Sequence, residues 1–245
     1  RCTSRGLGDV YKRQILLAVA TLGPFVIQSI TEAHFPWLCV EEGKAVYFFG
    51  ESPAERNYKL PPTIAKAEVY ALGKAGQVDK VPLKTVESDD FIGLTSATPN
   101  NPISALVSKV TYGIYDGMAL NYYTQSQVGS LPTDRNAYAP ISKHLNLYAQ
   151  VIDTEAGVDV FVVWMGKPLS GAEVRLLCED GHEEGSGTTD KDGKVSFSDQ
   201  EVEDGLNGLV VGHNVEETGK IGNQEFQKSA NYLTMTFVET RGSEK

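Results

Sequence analysis

Short apolar runs broken by turn-forming residues dominate this chain, and apolar residues almost nowhere recur at helical spacing. Runs rich in valine, isoleucine, threonine, tyrosine and phenylalanine are interrupted every few residues by Gly, Asp, Asn or Pro, which is a strand signal. The alternation is sharpest at Tyr232–Val238. There Leu233, Met235 and Phe237 fall on one face and Tyr232, Thr234 and Thr236 on the other, because successive strand side chains point to opposite sides. Comparable runs are Ala45–Gly50, Ala67–Leu72, Phe91–Ala97, Ala105–Tyr115, Ala119–Gln125, Leu145–Ile152, Val158–Met165, Glu173–Glu179, Lys194–Phe197 and Gly208–His213. They predict an all-β fold. Lys59–Ile64 carries Pro61-Pro62, whose missing N–H groups exclude a central strand.

The 245 residues hold 22 Lys+Arg against 32 Asp+Glu, a net charge of −10. This excludes a nucleic-acid partner, which needs a basic face. The composition is globular, and no Gly-X-Y period or sustained heptad supports a fibrous fold. Residues 1–14, RCTSRGLGDVYKRQ, resemble a translated sequencing-library adapter: Asp9–Gln14 back-translates to the mosaic end of transposase-based kits. The segment is set aside as an artefact. Its Arg1, Arg5, Lys12 and Arg13 outweigh Asp9 by three charges, so the remainder carries −13.

Ile15–Ile30 is sixteen residues without a charge. A membrane span needs about 20 residues, whereas a signal-peptide core takes about 7–15. Residues 15–33 are therefore expected to be a signal-peptide helix, with an N-terminal membrane anchor as the alternative. Thr31 and Ala33 supply the small residues a signal peptidase prefers, which makes His34 the mature N-terminus. The expected location is periplasmic or extracellular, with no membrane span after cleavage.

Gly129–Lys143, with two prolines and no period, is the best linker. It divides the exported part into two β-sandwich domains in tandem, 34–130 and 143–240. Each is close to the roughly 100 residues such a sandwich requires. Within the second, Gly166–Val174 (GKPLSGAEV) followed by Thr188–Val195 (TTDKDGKV) resembles the transthyretin-like or Cna-B-like sandwich repeat. Asp192-Gly193 reads as a tight turn needing positive φ at Gly193. Asp190-Lys191-Asp192 looks like the start of a calcium loop. However, Lys194 stands at the third ligand position and Val195 at the obligatory glycine, so the turn is preferred.

Enzyme signatures are missing: the chain has no G-x-S-x-G elbow, H-E-x-x-H helix, phosphate loop or dinucleotide fingerprint. A non-enzymatic role is expected. Cys39 and Cys178 remain once residues 1–14 are removed. Alternation puts Cys178 on the face of Val174 and Leu176, as a core thiol. Of the four histidines, His144 starts a strand and reads as a solvated strand end. His182 sits in an acidic hairpin tip, Glu179–Glu184, suited to a solvated loop or to loose divalent-ion affinity. His213 ends an apolar run ahead of Glu216-Glu217. It reads as an exposed strand end or as a metal ligand. His34 carries the sharpest expectation. At a mature N-terminus its α-amine, with a pKa of about 7.7–8.0, and its imidazole chelate one ion together. Such nitrogens favour nickel or copper over hard cations, with His213 and Glu217 as the further ligands.

Ala33-His34-Phe35-Pro36-Trp37-Leu38 directly after an export signal is followed by Val46–Glu51, Ile64–Ala67, Tyr112–Ile114, Leu120–Thr124 and a closing Tyr232-Leu233-Thr234. In this order the pieces resemble the domain of unknown function 4198 family, nickel- or cobalt-uptake-associated periplasmic proteins. The resemblance implies an exported β-sandwich that binds divalent nickel or cobalt and serves a metal-uptake membrane transporter. The chain departs from the family pattern H-Y-x-T with Asn231, and has Phe226 where tyrosine is usual. The competing expectation is a structural or adhesive surface module, with Tyr112, Tyr115, Tyr122 and Tyr123 lining a glycan or protein face.

Overall fold

The computed structural model describes residues 34–73, 76–97, 103–138 and 141–240. The adapter-like segment 1–14 and the expected signal peptide 15–33 lie outside the described residues. The described chain is all-β, with three single-turn 3-10 segments at Ile64–Lys66, Arg135–Tyr138 and Ile141–Lys143. None of its helices is long and apolar enough to cross a membrane.

The strands are β1 (Phe35–Glu41), β2 (Lys44–Gly50), β3 (Val69–Leu72), β4 (Val78–Val81), β5 (Leu83–Glu87), β6 (Ile92–Ser96), β7 (Ala105–Tyr115) and β8 (Met118–Gln127). They continue with β9 (Leu147–Thr154), β10 (Gly157–Trp164), β11 (Lys167–Pro168), β12 (Glu173–Leu177), β13 (Glu183–Thr188), β14 (Lys194–Ser198), β15 (Gly205–Ile221) and β16 (Gln224–Glu239). An eight-stranded sheet has the order β13-β12-β15-β16-β8-β7-β3-β4. A four-stranded sheet, β1-β2-β6-β5, covers one of its faces. A smaller sheet, in which β10 pairs with β9, β11 and β14, covers the other.

The expected division into residues 34–130 and 143–240 is not how the sheets divide. The large sheet takes four strands from each half, joined where β16 runs parallel to β8 from Ser229↔Ala119 to Thr236↔Ser126. On β16 Leu233, Met235 and Phe237 face the main core and Thr234 and Thr236 the other side; on β8 Tyr123 and Gln125 face that core and Thr124 and Ser126 the other side. Pairing them side by side merges those faces and leaves neither strand as an open edge. The supposed linker is docked as well. Arg135 lies 4.1 Å over the Phe161 ring and its Nε donates to Gln150 at 2.7 Å, while Pro132 carbonyl accepts the Asp153 N–H.

One face of the large sheet builds the main core. Leu233, Met235, Phe237, Val211, Leu209, Val174 and Leu176 pack with Leu147, Ala149, Val151, Val158, Val160 and Val162 of the small sheet. The fully buried Gln125 bridges the layers, its amide donating to and accepting from the backbone of Ala149. On the opposite face, Thr234 and Thr236 donate at 2.6 Å to the carbonyls of Pro36 and Leu38. These carbonyls belong to the edge strand β1, where a proline without an N–H is tolerated. A Thr234→Val chain keeps the shape but strands a buried carbonyl. It is expected to lose about 1–3 kcal/mol, measured as a shift in urea midpoint. A loss below about 0.5 kcal/mol would show that the carbonyl is satisfied otherwise.

The strands the pattern does not announce are β1, β4, β5, β11 and β13. β4, β5 and β11 expose most of their residues, and β13 (EEGSGT), with half of its residues exposed, has no apolar period. β15 and β16 also continue past their apolar stretches as a ribbon held by Lys220–Glu225 and Lys228–Glu216 ion pairs.

The Asp190–Gly193 turn carries the chain from β13 to β14. Gly193 has φ 73°, and Asp190 Oδ1 accepts the N–H groups of Lys194 and Asp192 at 2.9 and 2.8 Å. Those two bonds hold the Asp190 carboxyl below its ordinary 3.8. A depressed carboxylate stabilises the fold above its unfolded pKa and loses that contribution as pH falls through the folded value. Asp190→Ala should therefore lower the melting temperature at pH 7 and narrow the gap to wild type as pH drops below about 4. A gap that stays constant down to pH 2 would remove the link to this carboxylate.

Candidate metal centre at the rim of the β1–β2 hairpin

Glu42 and Gly43 join β1 to β2 with φ of 50° and 74°, the doubly positive geometry of a two-residue hairpin turn. Counting outward, Glu41 pairs with Lys44 and Phe35 with Gly50. The next position brings His34 opposite Glu51. Beyond β2 the chain turns back on itself, with Glu55 N–H donating to Ser52 carbonyl and Glu51 N–H to the Glu55 carboxylate at 2.7 Å. A second carboxylate is thereby folded onto the same imidazole.

His34 Nδ1 lies 3.9 Å from Glu51 Oε1, and Nε2 lies 3.5 Å from Glu55 Oε2. One ligand atom from each of the three residues falls within 4.8 Å of the others. The ring is held between Tyr58, 3.9 Å away by centroid, and Phe49, 5.9 Å away. Behind it stand Phe35, Tyr122 and Tyr232, and the Tyr122 hydroxyl donates to the His34 carbonyl at 3.4 Å. Burial, with Tyr112 and Tyr232 adding to it, pushes the Tyr122 phenol up, so it stays a neutral donor. The carboxylates remain open to solvent, at 49 and 35 % exposure against 21 % for His34. An imidazole and two carboxylates on a rigid hairpin can hold a divalent ion or, without one, form ion pairs with a protonated ring.

His213 and Glu217, expected to complete the shell, do not join this group. His213 pairs with Asn231 across β15–β16 and packs against Trp164 of the small sheet at 5.0 Å. It lies on the core face of the large sheet, opposite the face that meets His34. The period of two in β15 gives it the side of Val211, and burial lowers its pKa. Glu217 stands farther along the exposed ribbon. Asn231 is buried, its amide donating to Ser229 Oγ and accepting from Asn121. It offers His213 no second imidazole.

Tyr122 and Tyr123 are adjacent in β8, so they enter opposite faces of the sheet, and both are buried. Only Tyr115 of the four expected tyrosines is largely exposed, so they share no binding face. Cys39 and Cys178 are buried and unpaired, in line with a core thiol at position 178. Burial, reinforced by Glu41, drives the Cys39 thiol well above its usual range. His144 stacks on Tyr70 at 6.2 Å. Glu51 and Glu55 escaped the sequence reading, although a signal existed. A register counted from Glu42-Gly43 pairs His34 with Glu51.

No protein-family model matches the chain, and neither does any curated protein. Among solved structures, a biofilm associated protein, BSP domain, aligns at 13 % identity with a TM-score of 0.21. The alignment covers 85 % of this chain and 30 % of that one, a likeness too slight to argue from.

Proposed function

We propose that the chain is an exported, non-enzymatic protein that binds a divalent transition-metal ion, nickel or cobalt with copper as a further candidate, through His34, Glu51 and Glu55. The observation that carries this reading is the convergence of three ligand atoms within 4.8 Å at a hairpin end whose register sets His34 opposite Glu51. Cleavage after Ala33 adds the His34 α-amine, making two nitrogens and two oxygens. Imidazole and amine nitrogens suit nickel and copper, and the carboxylates suit an ion that exchanges readily. On this reading the metal-uptake transporter implied by the family resemblance is the recipient.

Isothermal titration with Ni(II), Co(II) and Cu(II) tests it, on a chain beginning at His34 and on one carrying extra residues before it. The expected dissociation constant is below about 0.1 mM for the chain beginning at His34. Blocking the amine, or His34→Ala, is expected to weaken binding about 10-fold or more, and Glu51→Gln similarly. Affinity unchanged in His34→Ala would return the cluster to simple ion pairs and favour a structural surface module.

A further inference from the structure

A second group of ligand-bearing side chains lies on the β12–β13 hairpin. Cys178, His182 and Glu184 each present one ligand atom within 4.8 Å of the other two. None of them takes part in the His34 centre. We propose that Cys178, His182 and Glu184 form a separate, thiolate-containing metal site, for a thiophilic divalent ion such as Zn(II) or Co(II), with an open fourth position.

The hairpin builds this site locally. Leu177 pairs with Glu183, so Cys178 and His182 face each other as the next pair. Their backbones are joined by the Cys178 N–H donating to the His182 carbonyl at 3.0 Å. The tip closes with Gly181 N–H donating to the Cys178 carbonyl, and Gly181 takes φ 85°. A side chain there would strain that geometry and meet Ser52 Oγ at 2.4 Å. The pairing then slips. Leu176 faces Gly185 while Leu177 faces Glu183, which leaves Glu184 as the extra residue of a bulge. Bulges re-aim a side chain and recur beside functional sites, and here the re-aimed carboxylate reaches toward the tip.

The donor set selects the ion. A thiolate, an imidazole and a carboxylate match four-coordinate zinc or cobalt, and three protein ligands leave one position for water or an exchangeable ligand. Tetrahedral shells at Zn–S of about 2.3 Å and Zn–N of about 2.0 Å put ligand atoms about 3.3–3.8 Å apart. Rotation of the exposed His182 and half-exposed Glu184 supplies the contraction, while the buried Cys178 anchors it. Binding converts the thiol to a thiolate and releases its proton to solvent. The imidazole binds neutral and the carboxylate ionised.

Cobalt(II) alone is the probe, added to the purified full chain under a non-chelating reductant and followed by absorption. A thiolate on cobalt gives an intense near-ultraviolet charge-transfer band that a nitrogen- and oxygen-bound ion lacks. The band is expected to saturate at one equivalent and to disappear in Cys178→Ser. It should need about 10-fold more cobalt in His182→Ala or Glu184→Gln, two changes near the surface that leave the core intact. Either ion added to the metal-free chain should release about one proton per ion bound, and zinc should then displace cobalt with no further release. His34→Ala should leave the band unchanged, so loss of the His34 reading and loss of this one are seen separately. No band in the wild-type chain, or a band that survives Cys178→Ser and so arises from Cys2 or Cys39, would overturn the proposal.

Discussion

A Trp37→Ala chain is expected to lose about 3–5 kcal/mol of folding stability. Trp37 is fully buried in β1, where its indole N–H donates to the Gly50 carbonyl at 3.1 Å across the hairpin. The ring edge rests on the large sheet at Gly208, where a Cβ would come within 2.9 Å of Cζ3 and 3.2 Å of Cη2. Truncation removes a large apolar volume, opens a cavity between two sheets and removes the indole bond to the Gly50 carbonyl. Domains are stable by only about 5–15 kcal/mol, so the urea midpoint should fall steeply. Gly208→Ala should also destabilise the chain. The double change should cost less than the sum of the two, by about 0.5–3 kcal/mol, because removing the indole relieves much of the crowding. The Pro53 ring, 2.8 Å from the same Cβ position, keeps that relief partial. Strict additivity, or a Trp37→Ala loss below about 1 kcal/mol, would break the claim that this ring seats β1 on the sheet. His34 directly precedes this strand, so on the proposed reading metal affinity should fall with it.

The second large effect is expected at Gly157, which opens β10 with φ 136°. An added Cβ would lie 2.0 Å from the Phe197 carbonyl oxygen, 2.7 Å from Ser198 C and 2.9 Å from Asp199 N. All three are backbone atoms of β14 and the residue after it, and none can swing away. Strained backbone and overpacking each cost about 1–3 kcal/mol, so Gly157→Ala should lose about 2–6 kcal/mol. Gly113 supplies the control. Its φ is 140°, yet nothing lies within 4 Å of the point a Cβ would occupy. Gly113→Ala should show the strain alone, and the difference between the two chains should be about 1–3 kcal/mol by thermal or urea unfolding. Equal losses would mean that the approach of β14 contributes nothing.

Legibility in the sequence followed burial. The strands with one clear apolar face were readable, because burying that face demands a period of two, whereas β1, apolar on both faces and carrying Pro36, shows no such period. β13 and β4 were not, since an exposed edge strand is held by backbone hydrogen bonds that any side chain permits. The Asp190–Gly193 turn was readable because only a short acceptor and a glycine meet its local geometry. At the candidate site His34 stood out by its position after an export-like segment, but the structure does not bring His213 and Glu217 to it. His213 and Glu217 were chosen as the nearest plausible ligands in kind. The pleat turns His213 toward Trp164, away from the face that carries β1.

Local chemistry thus decides which segments are strands, where Glu42-Gly43 and Asp190–Gly193 turn, and that Cys178 is buried. It even places Cys178 beside His182, since a tight hairpin leaves no choice. Which distant strands meet is a different matter. The backbone hydrogen bonds of β8 would serve any partner equally well. Its union with β16, some 110 residues away, is selected by both faces at once. Tyr123, Gln125, Leu233 and Met235 fit the small sheet, while Thr234 and Thr236 meet the free carbonyls of β1. That double fit separates His34 from His213, while the local β1–β2 register and the Ser52–Glu55 turn supply Glu51 and Glu55.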